Sequence, residues 1–266
     1  MSEEIQLQIE DIHLAFGGLS ALAGVSTNIK KGEIFSIIGP NGAGKTSLLN
    51  CINRFYTPYR GKIVFEGQDL LRLKPYKVAS LGIARTFQNV ELFKHMTVLD
   101  NIKLGHHIHL KSGFVSGGIY YGKTRREEIA LRKEIEEKII DFLEIEQVRK
   151  NMVHTLPFGL QKRVELARAL AMKPKILLLD EPATGMNLEE TEDIARFILD
   201  INEEWGVTII LIEHDMGVVM DISDRVCVLD FGRKIAEGKP LEVRQNEHVI
   251  KAYLGEVDLT YSRLGA

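Results

Sequence analysis

Eight residues, GPNGAGKT at positions 39–46, constrain the fold of this chain more than any other segment. They match the pattern G-x-x-x-x-G-K-[S/T], in which a glycine-rich loop joins a strand to a helix. The apolar run at 33–38 predicts that strand, and residues 47–50 predict a first helical turn. Glycine allows the loop to curl so that its N–H groups and the helix N-terminus face an anion. The segment therefore predicts phosphate binding.

The loop residues have separate expected roles around a nucleotide. We expect the following residues to surround its phosphates: Gly39, Pro40, Asn41, Gly42, Ala43, Gly44, Lys45, Thr46 and Ser47. The ammonium group of Lys45 is expected to reach the β- and γ-phosphates, and the hydroxyl of Thr46 to bind Mg²⁺. ATP and Mg²⁺ are the ligands that this pattern implies.

A pair of carboxylates gives the second chemical signal. The aliphatic run at 176–179 predicts a strand buried on both faces, and Asp180 and Glu181 follow at its carboxyl end. Open parallel sheets bind ligands at that end. We expect Asp180 to hold Mg²⁺ and Glu181 to polarise a water for attack on the γ-phosphorus.

Composition and charge exclude several other classes of protein. The chain has 266 residues and a formal net charge of −3, so no excess of basic residues indicates a nucleic-acid partner. Cys51 and Cys227 are far apart in sequence, which argues against a disulfide framework and favours a reducing cytoplasm. We find no signal peptide and no apolar run near the ~20 residues that cross a bilayer, so we expect a cytoplasmic chain that does not enter the membrane by itself.

The sequence pattern changes along the chain in a way that predicts an insertion. Roughly the first 90 residues read as β-rich and then α/β, residues 97–172 carry helical signals, and apolar strands return at 176–179 and 207–212. We predict one domain, 1–266, of the α/β class. Its expected parts are a nucleotide-binding core at 1–92 and 174–256, an inserted helical subdomain at 93–173 and a C-terminal tail at 257–266.

In the order of these segments, the chain resembles the ATP-binding-cassette (ABC) ATPases. The resemblance implies a RecA-like phosphate-loop core with an antiparallel β subdomain and an inserted α-helical subdomain. It also implies roles for three further residues. Phe16 would stack on adenine, and His214 would sense the γ-phosphate. Gln88 would touch both the metal and the attacking water, so that Thr46, Gln88 and Asp180 form the expected metal set and Glu181, His214 and Gln88 the expected catalytic set.

The segment LPFGLQ at 156–161 lies where the family signature L-S-G-G-Q opens a helix, and it departs from that signature. Gly159 is retained, which by resemblance would place it at the nucleotide of an opposing subunit. Pro157 replaces the serine and so removes a hydroxyl and an N–H donor. A hydrogen bond to a charged group is worth ~1.5–3 kcal/mol. We therefore expect the composite site closed by Pro157 to turn over more slowly than its counterpart. Asn187 similarly replaces the aspartate usual in the inter-subunit loop.

With these departures, the chain resembles one subfamily of the ABC ATPases, the importer ATPases for branched-chain and other hydrophobic amino acids. The stretches at 16–22, 156–165, 181–187 and 250–256 carry this likeness. It implies an ATPase subunit, peripheral on the inner face of the cell membrane. The implied partners are a second, different ABC ATPase subunit, two integral membrane permease subunits and an extracytoplasmic substrate-binding protein.

Other functions remain open at this stage. The chain could serve another ABC transporter class, such as lipopolysaccharide export. A soluble ABC ATPase acting on nucleic acid or ribosomes is a further alternative, although such relatives carry tandem cassettes, long coiled coils or zinc inserts, and we expect no nucleic-acid partner. An ATP sensor without turnover is favoured by Pro157 and opposed by Glu181 and His214.

Overall fold

The computed structural model describes residues 4–107 and 132–253. The expected C-terminal tail at 257–266 and part of the expected helical subdomain lie outside these residues. Within them the chain forms two sheets and a set of helices, which is the α/β class predicted from the sequence. The boundaries of the core and of the helical subdomain stay a prediction.

The N-terminal sheet is antiparallel and has the strand order β2-β1-β4-β5. Its strands are β1 (Ile5–Phe16), β2 (Leu19–Lys30), β4 (Arg60–Phe65) and β5 (Gln68–Asp69). The alternation at 5–9 and 25–29 predicts only the first part of β1 and the last part of β2. A bulge explains the difference, because Asp11 has a left-handed backbone with φ of 48° and the pairing register shifts there. The period-two pattern changes phase at such a bulge.

The second sheet is parallel apart from one edge strand, and its strand order is β10-β9-β3-β8-β7-β6. Its strands are β3 (Ile34–Ile38), β6 (Ile83–Arg85), β7 (Ile176–Asp180), β8 (Thr208–Ile212), β9 (Arg225–Asp230) and β10 (Arg233–Gly238). Every residue of β3, β7 and β8 is buried, which explains their predominantly apolar sequences. The carboxyl ends of these three strands lie at one edge of the sheet.

Helices cover the parallel sheet and form the remaining layers. They are α1 (Lys45–Ile52), α2 (Pro75–Ser80), α3 (Val98–His106), α4 (Phe158–Leu170), α5 (Leu188–Trp205), α6 (Met216–Ile222) and α7 (Pro240–Arg244). Helix α1 begins at Lys45, two residues before the predicted turn, because the left-handed Gly44 is its N-cap. A capping box of Asn187 and Glu190 starts α5, and the left-handed Gly206 ends it.

One hydrophobic cluster joins the helical region to the sheet. It contains Ile102 of α3, Val164 of α4, Phe197 of α5 and Leu177 of β7, all of them buried. A second cluster lies between the N-terminal sheet and the opposite face of the parallel sheet, with Leu48 of α1 among its members. In the stretches 4–107 and 132–253, no helix has both the length and the apolar character that crossing a membrane requires.

The two thiols offer a direct test of this packing. Cys51 in α1 and Cys227 in β9 are free and buried, and burial raises the pKa of each thiol to about 12. Because the thiolate is the reactive form, we predict that iodoacetamide at pH 8 leaves both thiols unmodified in the native protein and alkylates both in urea. Mass spectrometry counts the adducts. Rapid native alkylation of either thiol would contradict the packing described for it.

Candidate active site

The phosphate loop joins β3 to α1 through a backbone that only glycine accommodates easily. Gly39 and Gly44 have φ values of 144° and 100°, in the region that L-residues rarely adopt. A Cβ atom on Gly39 would lie 2.0 Å from the carbonyl oxygen of Leu229, and one on Gly44 would lie 2.6 Å from that of Ala21. The two glycines of the motif are therefore required by neighbouring strands as well as by the turn.

Lys45 folds its side chain back over this loop. It is only 6% exposed, and its Nζ donates to the carbonyl oxygens of Gly39 at 2.7 Å and Pro40 at 3.0 Å. The remaining predicted loop residues, Asn41, Gly42, Ala43, Thr46 and Ser47, lie in the same turn or in the first turn of α1. The arrangement puts a cation and a helix N-terminus at one point, which suits a polyphosphate.

Thr46 and Asp180, two of the three residues predicted to hold a metal, meet across the sheet edge, whereas the amide of the third, Gln88, contacts Glu181. The Thr46 hydroxyl donates to Oδ1 of Asp180 at 3.2 Å, and Arg85 contacts Oδ2 of the same carboxylate at 2.8 Å. Hydroxyl and carboxylate oxygens are the donors that Mg²⁺ prefers, so these residues fit the metal. Arg85 is a contact that the sequence reasoning missed, since nothing in its surroundings in the chain marks it.

No all-protein metal cage surrounds this pair. Within the described ranges 4–107 and 132–253, no group of three or more histidine, cysteine or acidic side chains could hold a metal ion. Magnesium commonly uses one or two carboxylates together with substrate phosphate oxygens. The donor set of Thr46 and Asp180 is therefore of the kind that needs a nucleotide to complete it.

The three residues of the predicted catalytic set converge on one carboxylate. Oε1 of Glu181 lies 2.6 Å from Nε2 of His214, and Oε2 accepts a hydrogen bond from Nε2 of Gln88 at 2.8 Å. The hydroxyl of Thr184 also donates to Oε2, at 3.3 Å. Since an ionised carboxylate only accepts, the ring proton of His214 belongs on Nε2 in this contact. Glu181, His214 and Gln88 each follow the end of a different parallel strand.

Glu181 has a left-handed backbone, with φ of 51°. This conformation costs a residue with a side chain ~1–2 kcal/mol, and such strain concentrates at functional sites. The backbone N–H of Glu181 donates to the carbonyl oxygen of Ile212 at 2.9 Å, which holds the turn against β8. The strained turn directs the carboxylate towards the residues that follow β6 and β8.

Glu213 is a second residue that the sequence reasoning missed. Its side chain is 3% exposed and accepts hydrogen bonds from the backbone N–H groups of Ala183 at 2.8 Å and His214 at 3.0 Å. Burial raises the pKa of this carboxyl, while the backbone donors oppose that shift. It fixes the loop after Glu181 to the loop that carries His214. The only signal in the sequence is an acidic residue directly after an apolar strand.

Phe16 and Gly159 lie apart from this carboxylate cluster. Phe16 ends β1, is 44% exposed, and packs edge-on against Tyr56 with ring centroids 4.9 Å apart. An exposed aromatic face is what base stacking requires. Gly159 lies in the first turn of α4, where a Cβ atom would approach Oε1 of Glu190 to 2.2 Å. A larger residue at position 159 would therefore require the carboxylate of Glu190 to move.

The N-terminus of α4 is open on its outer side. Pro157 is the N-cap and supplies no side-chain hydrogen bond, although its carbonyl oxygen accepts from the backbone N–H of Gln161 at 3.1 Å. The ring of Phe158 is also exposed there. An uncapped helix start presents unpaired N–H groups to an anion.

A strand, a glycine loop and a helix, with an acidic pair at the end of a nearby strand, define a phosphate-loop nucleoside triphosphatase. Comparison with known proteins narrows this class. The family profile described as ABC transporter matches residues 22–184, and one described as branched-chain amino acid ATP-binding cassette transporter matches residues 233–258. The chain belongs to the ABC transporter ATPase family.

Individual relatives agree over nearly the whole chain. The high-affinity branched-chain amino acid transport ATP-binding protein BraF of Pseudomonas aeruginosa is 42% identical over 253 residues, covering 94% of this chain and 98% of BraF. LivG of Escherichia coli, of the same description, is 40% identical with the same coverage. The ADP conformation of the cassette MJ1267 superposes with a TM-score of 0.81 at 33% identity, covering 94% of this chain and 99% of MJ1267. The fold predicted from the sequence is confirmed.

The tight fit of Gly39 generates a prediction about stability. In Gly39→Ala, the new Cβ meets a backbone oxygen and the residue must also keep an unfavourable φ, so we expect a loss of about 3 kcal/mol or more in the free energy of unfolding. Gly67→Ala is the matched control, because Gly67 has φ of 80° and open space around it, and its cost is expected to be ~1–2 kcal/mol. Urea unfolding measures both. Equal losses would show that the Leu229 contact is unimportant.

Proposed function

We propose that this chain is the ATP-hydrolysing subunit of an importer for branched-chain or other hydrophobic amino acids. The observation that carries the catalytic part is the convergence of Gln88 and His214 on the carboxylate of Glu181. The transport part is supported by the names of the relatives and by the C-terminal profile match at 233–258. The amino acid selected for uptake is decided by other subunits.

Nucleotide binding uses the loop at 39–46. Lys45 leaves the carbonyl oxygens of its own loop and turns to the β- and γ-phosphates, which are stronger acceptors. Thr46 and Asp180 would hold Mg²⁺, and Gln88 would join them once its amide leaves Glu181. When bound, Mg²⁺ neutralises charge on the phosphate oxygens. The exposed face of Phe16 stacks on the adenine.

In hydrolysis the oxygen of the attacking water bonds to the γ-phosphorus while the bond to the β-phosphate oxygen breaks and ADP leaves, and Glu181 accepts the proton of the water. In the resting geometry His214 and Gln88 each contact one oxygen of Glu181, which leaves an acceptor position for the water. His214 then donates its Nε2–H hydrogen bond to the γ-phosphate rather than to the carboxylate, and Gln88 orients the water. This arrangement works mainly by positioning and electrostatics.

Two features support the proposed partners: the site that this chain leaves incomplete and one groove on its surface. The site is completed by the signature end of α4 in a second, different ABC ATPase subunit. A cavity of about 390 Å³ beside the Gln88 segment is lined by Phe87, Phe93, Leu104 and Arg168, among others. Phe93 and Leu104 are exposed there. We assign this groove to a short helix of one of two integral membrane permease subunits.

The location of the chain follows from this assembly. Docked to the permeases, it lies on the cytoplasmic, inner face of the cell membrane as a peripheral subunit. An extracytoplasmic substrate-binding protein delivers the amino acid to the permeases from the other side. Closure of the two ATPase subunits on ATP moves the Gln88 segment and, with it, the helix held in the groove.

The role of Lys45 can be tested by nucleotide titration. Lys45→Ala removes a charged phosphate contact, so we expect Mg-ATP affinity to fall by roughly ten- to a hundredfold. Lys62→Ala, which removes an exposed lysine from β4, is the control and should bind ATP normally. Calorimetry with the purified full chain measures both. Unchanged affinity in Lys45→Ala would refute the assignment of the phosphate loop.

The role of Glu181 can be tested in the assembled transporter. Glu181→Gln keeps the shape but removes the proton acceptor, so we expect kcat for ATP to fall by roughly 10²–10⁴-fold with ATP affinity retained and a closed ATPase pair trapped. Uptake of radiolabelled leucine into proteoliposomes should stop in parallel. Glu189→Gln, on the exposed start of α5, is the control. Normal turnover by Glu181→Gln would exclude Glu181 as the catalytic base.

A further inference from the structure

Helix α4 carries two buried charges that the mechanism above does not use. Lys162 is 4% exposed, and its Nζ donates to the backbone carbonyl oxygens of Phe87 at 3.1 Å and Gln88 at 2.7 Å. These carbonyls belong to the segment that carries the catalytic amide of Gln88. A lysine on the signature helix therefore holds the main chain of a residue at the active carboxylate.

Glu165 lies one turn further along α4 and accepts hydrogen bonds from backbone N–H groups of the same segment. It is 1% exposed, and its Oε1 accepts from the backbone N–H of Phe87 at 3.3 Å and of Glu91 at 3.4 Å. Its Oε2 lies 3.7 Å from Nζ of Lys162. The ion pair thus forms hydrogen bonds with two backbone carbonyl groups, at 87 and 88, and with two backbone N–H groups, at 87 and 91.

Stability alone is a poor explanation of this pair. Burial raises the pKa of Glu165 and lowers the pKa of Lys162, so burial disfavours the charged form of both side chains. Apolar side chains of similar volume are often equally or more stabilising than a buried ion pair. Moreover, Oε2 of Glu165 and Oγ1 of Thr86 are buried and have no hydrogen-bond partner in the part of the chain that the structure describes.

Together with Arg168 of α4, which donates to the carbonyl oxygen of Glu91, the pair positions a segment that has no secondary structure of its own. Strand β6 ends at Arg85, and residues 86–92 form neither helix nor strand. Such a segment has few backbone hydrogen bonds of its own, so its position depends on contacts with its neighbours. The chain of contacts runs from α4 through Lys162 to the carbonyl of Gln88, and from the Gln88 amide to Glu181 at 2.8 Å.

We propose that Lys162 and Glu165 are positioning residues that hold Gln88 against Glu181 and make its position follow the signature helix α4. The inference rests on the proposed ATPase function of the chain. When α4 moves against the nucleotide of the opposing subunit, the ion pair carries the Gln88 segment with it. Each composite site thereby influences the other through a buried contact inside one subunit.

A mutational cycle in the reconstituted transporter tests this proposal. For Lys162→Met we expect kcat for ATP to fall by roughly 10- to 100-fold, as for other residues that orient an active-site group, while Mg-ATP affinity of the full chain stays within about threefold. Lys162→Met combined with Gln88→Ala should be no slower than Gln88→Ala alone, because the lysine acts through that glutamine. Lys162→Arg, which can also donate to two carbonyls, should restore much of the activity.

The matched control is another buried glutamate. Glu33 is 7% exposed, its pKa is also raised by burial, and it accepts from Arg225 at 2.8 Å near the amino end of the sheet strands. We expect Glu33→Gln to leave kcat within about twofold of the unaltered complex, while Glu165→Gln lowers it. If the Lys162→Met variant does not assemble into the transporter, the fall in kcat of Glu165→Gln tests the proposal instead.

The possible results separate this inference from the proposed function. Full activity in Lys162→Met, a further loss when it is combined with Gln88→Ala, or an equal loss in Glu33→Gln would each overturn the positioning role while leaving the ATPase intact. A complete absence of ATP hydrolysis by the unaltered complex would overturn both the inference and the function on which it rests.

Discussion

The active site depends on the register of three parallel strands. Ile37 of β3 pairs with Ile212 of β8, and Ile212 pairs with Asp180 of β7. These three residues therefore stand level at the carboxyl edge of the sheet, and the phosphate loop, the acidic pair and the loop of His214 all leave from that level. A slip of one residue in β7 would turn Asp180 to the opposite face. Because these strands are buried on both faces, hydrophobic alternation does not fix this register, and the contacts of Asp180 with Thr46 and Arg85 hold it instead.

The carboxylate of Glu181 links these loops to the chemistry. It receives contacts from Gln88, Thr184 and His214, and a carboxylate offers about four acceptor positions. The resting site is therefore almost filled by its own side chains. About one acceptor position is left for a water, and in the proposed mechanism the γ-phosphate would free a second one by accepting from His214 in place of the carboxylate.

Sequence and structure differ most where contacts join distant parts of the chain. The phosphate loop, β7 and Asp180 could be predicted because local pattern and chemistry coincide there. Glu213 and Lys162 could not, since their importance lies in hydrogen bonds to backbone groups 30 and 74 residues away. The bulge at Asp11 was missed because alternation alone does not reveal a change of phase. The roles of Gln88 and His214 came from family resemblance and stay a prediction, while the structure shows that both side chains contact Glu181.

The departures in the signature act on one packed unit. Gly159 of α4 lies against the side chain of Glu190, and Glu190 forms the capping box with Asn187 at the start of α5. The signature turn and the turn that starts α5 therefore pack against each other. A proline at the N-cap removes a donor from α4, whereas asparagine caps a helix as well as aspartate does and lacks only its charge. In the proposed pair of different ATPase subunits, both changes would reduce what this face offers to the nucleotide of the partner, and only one of the two composite sites would be affected.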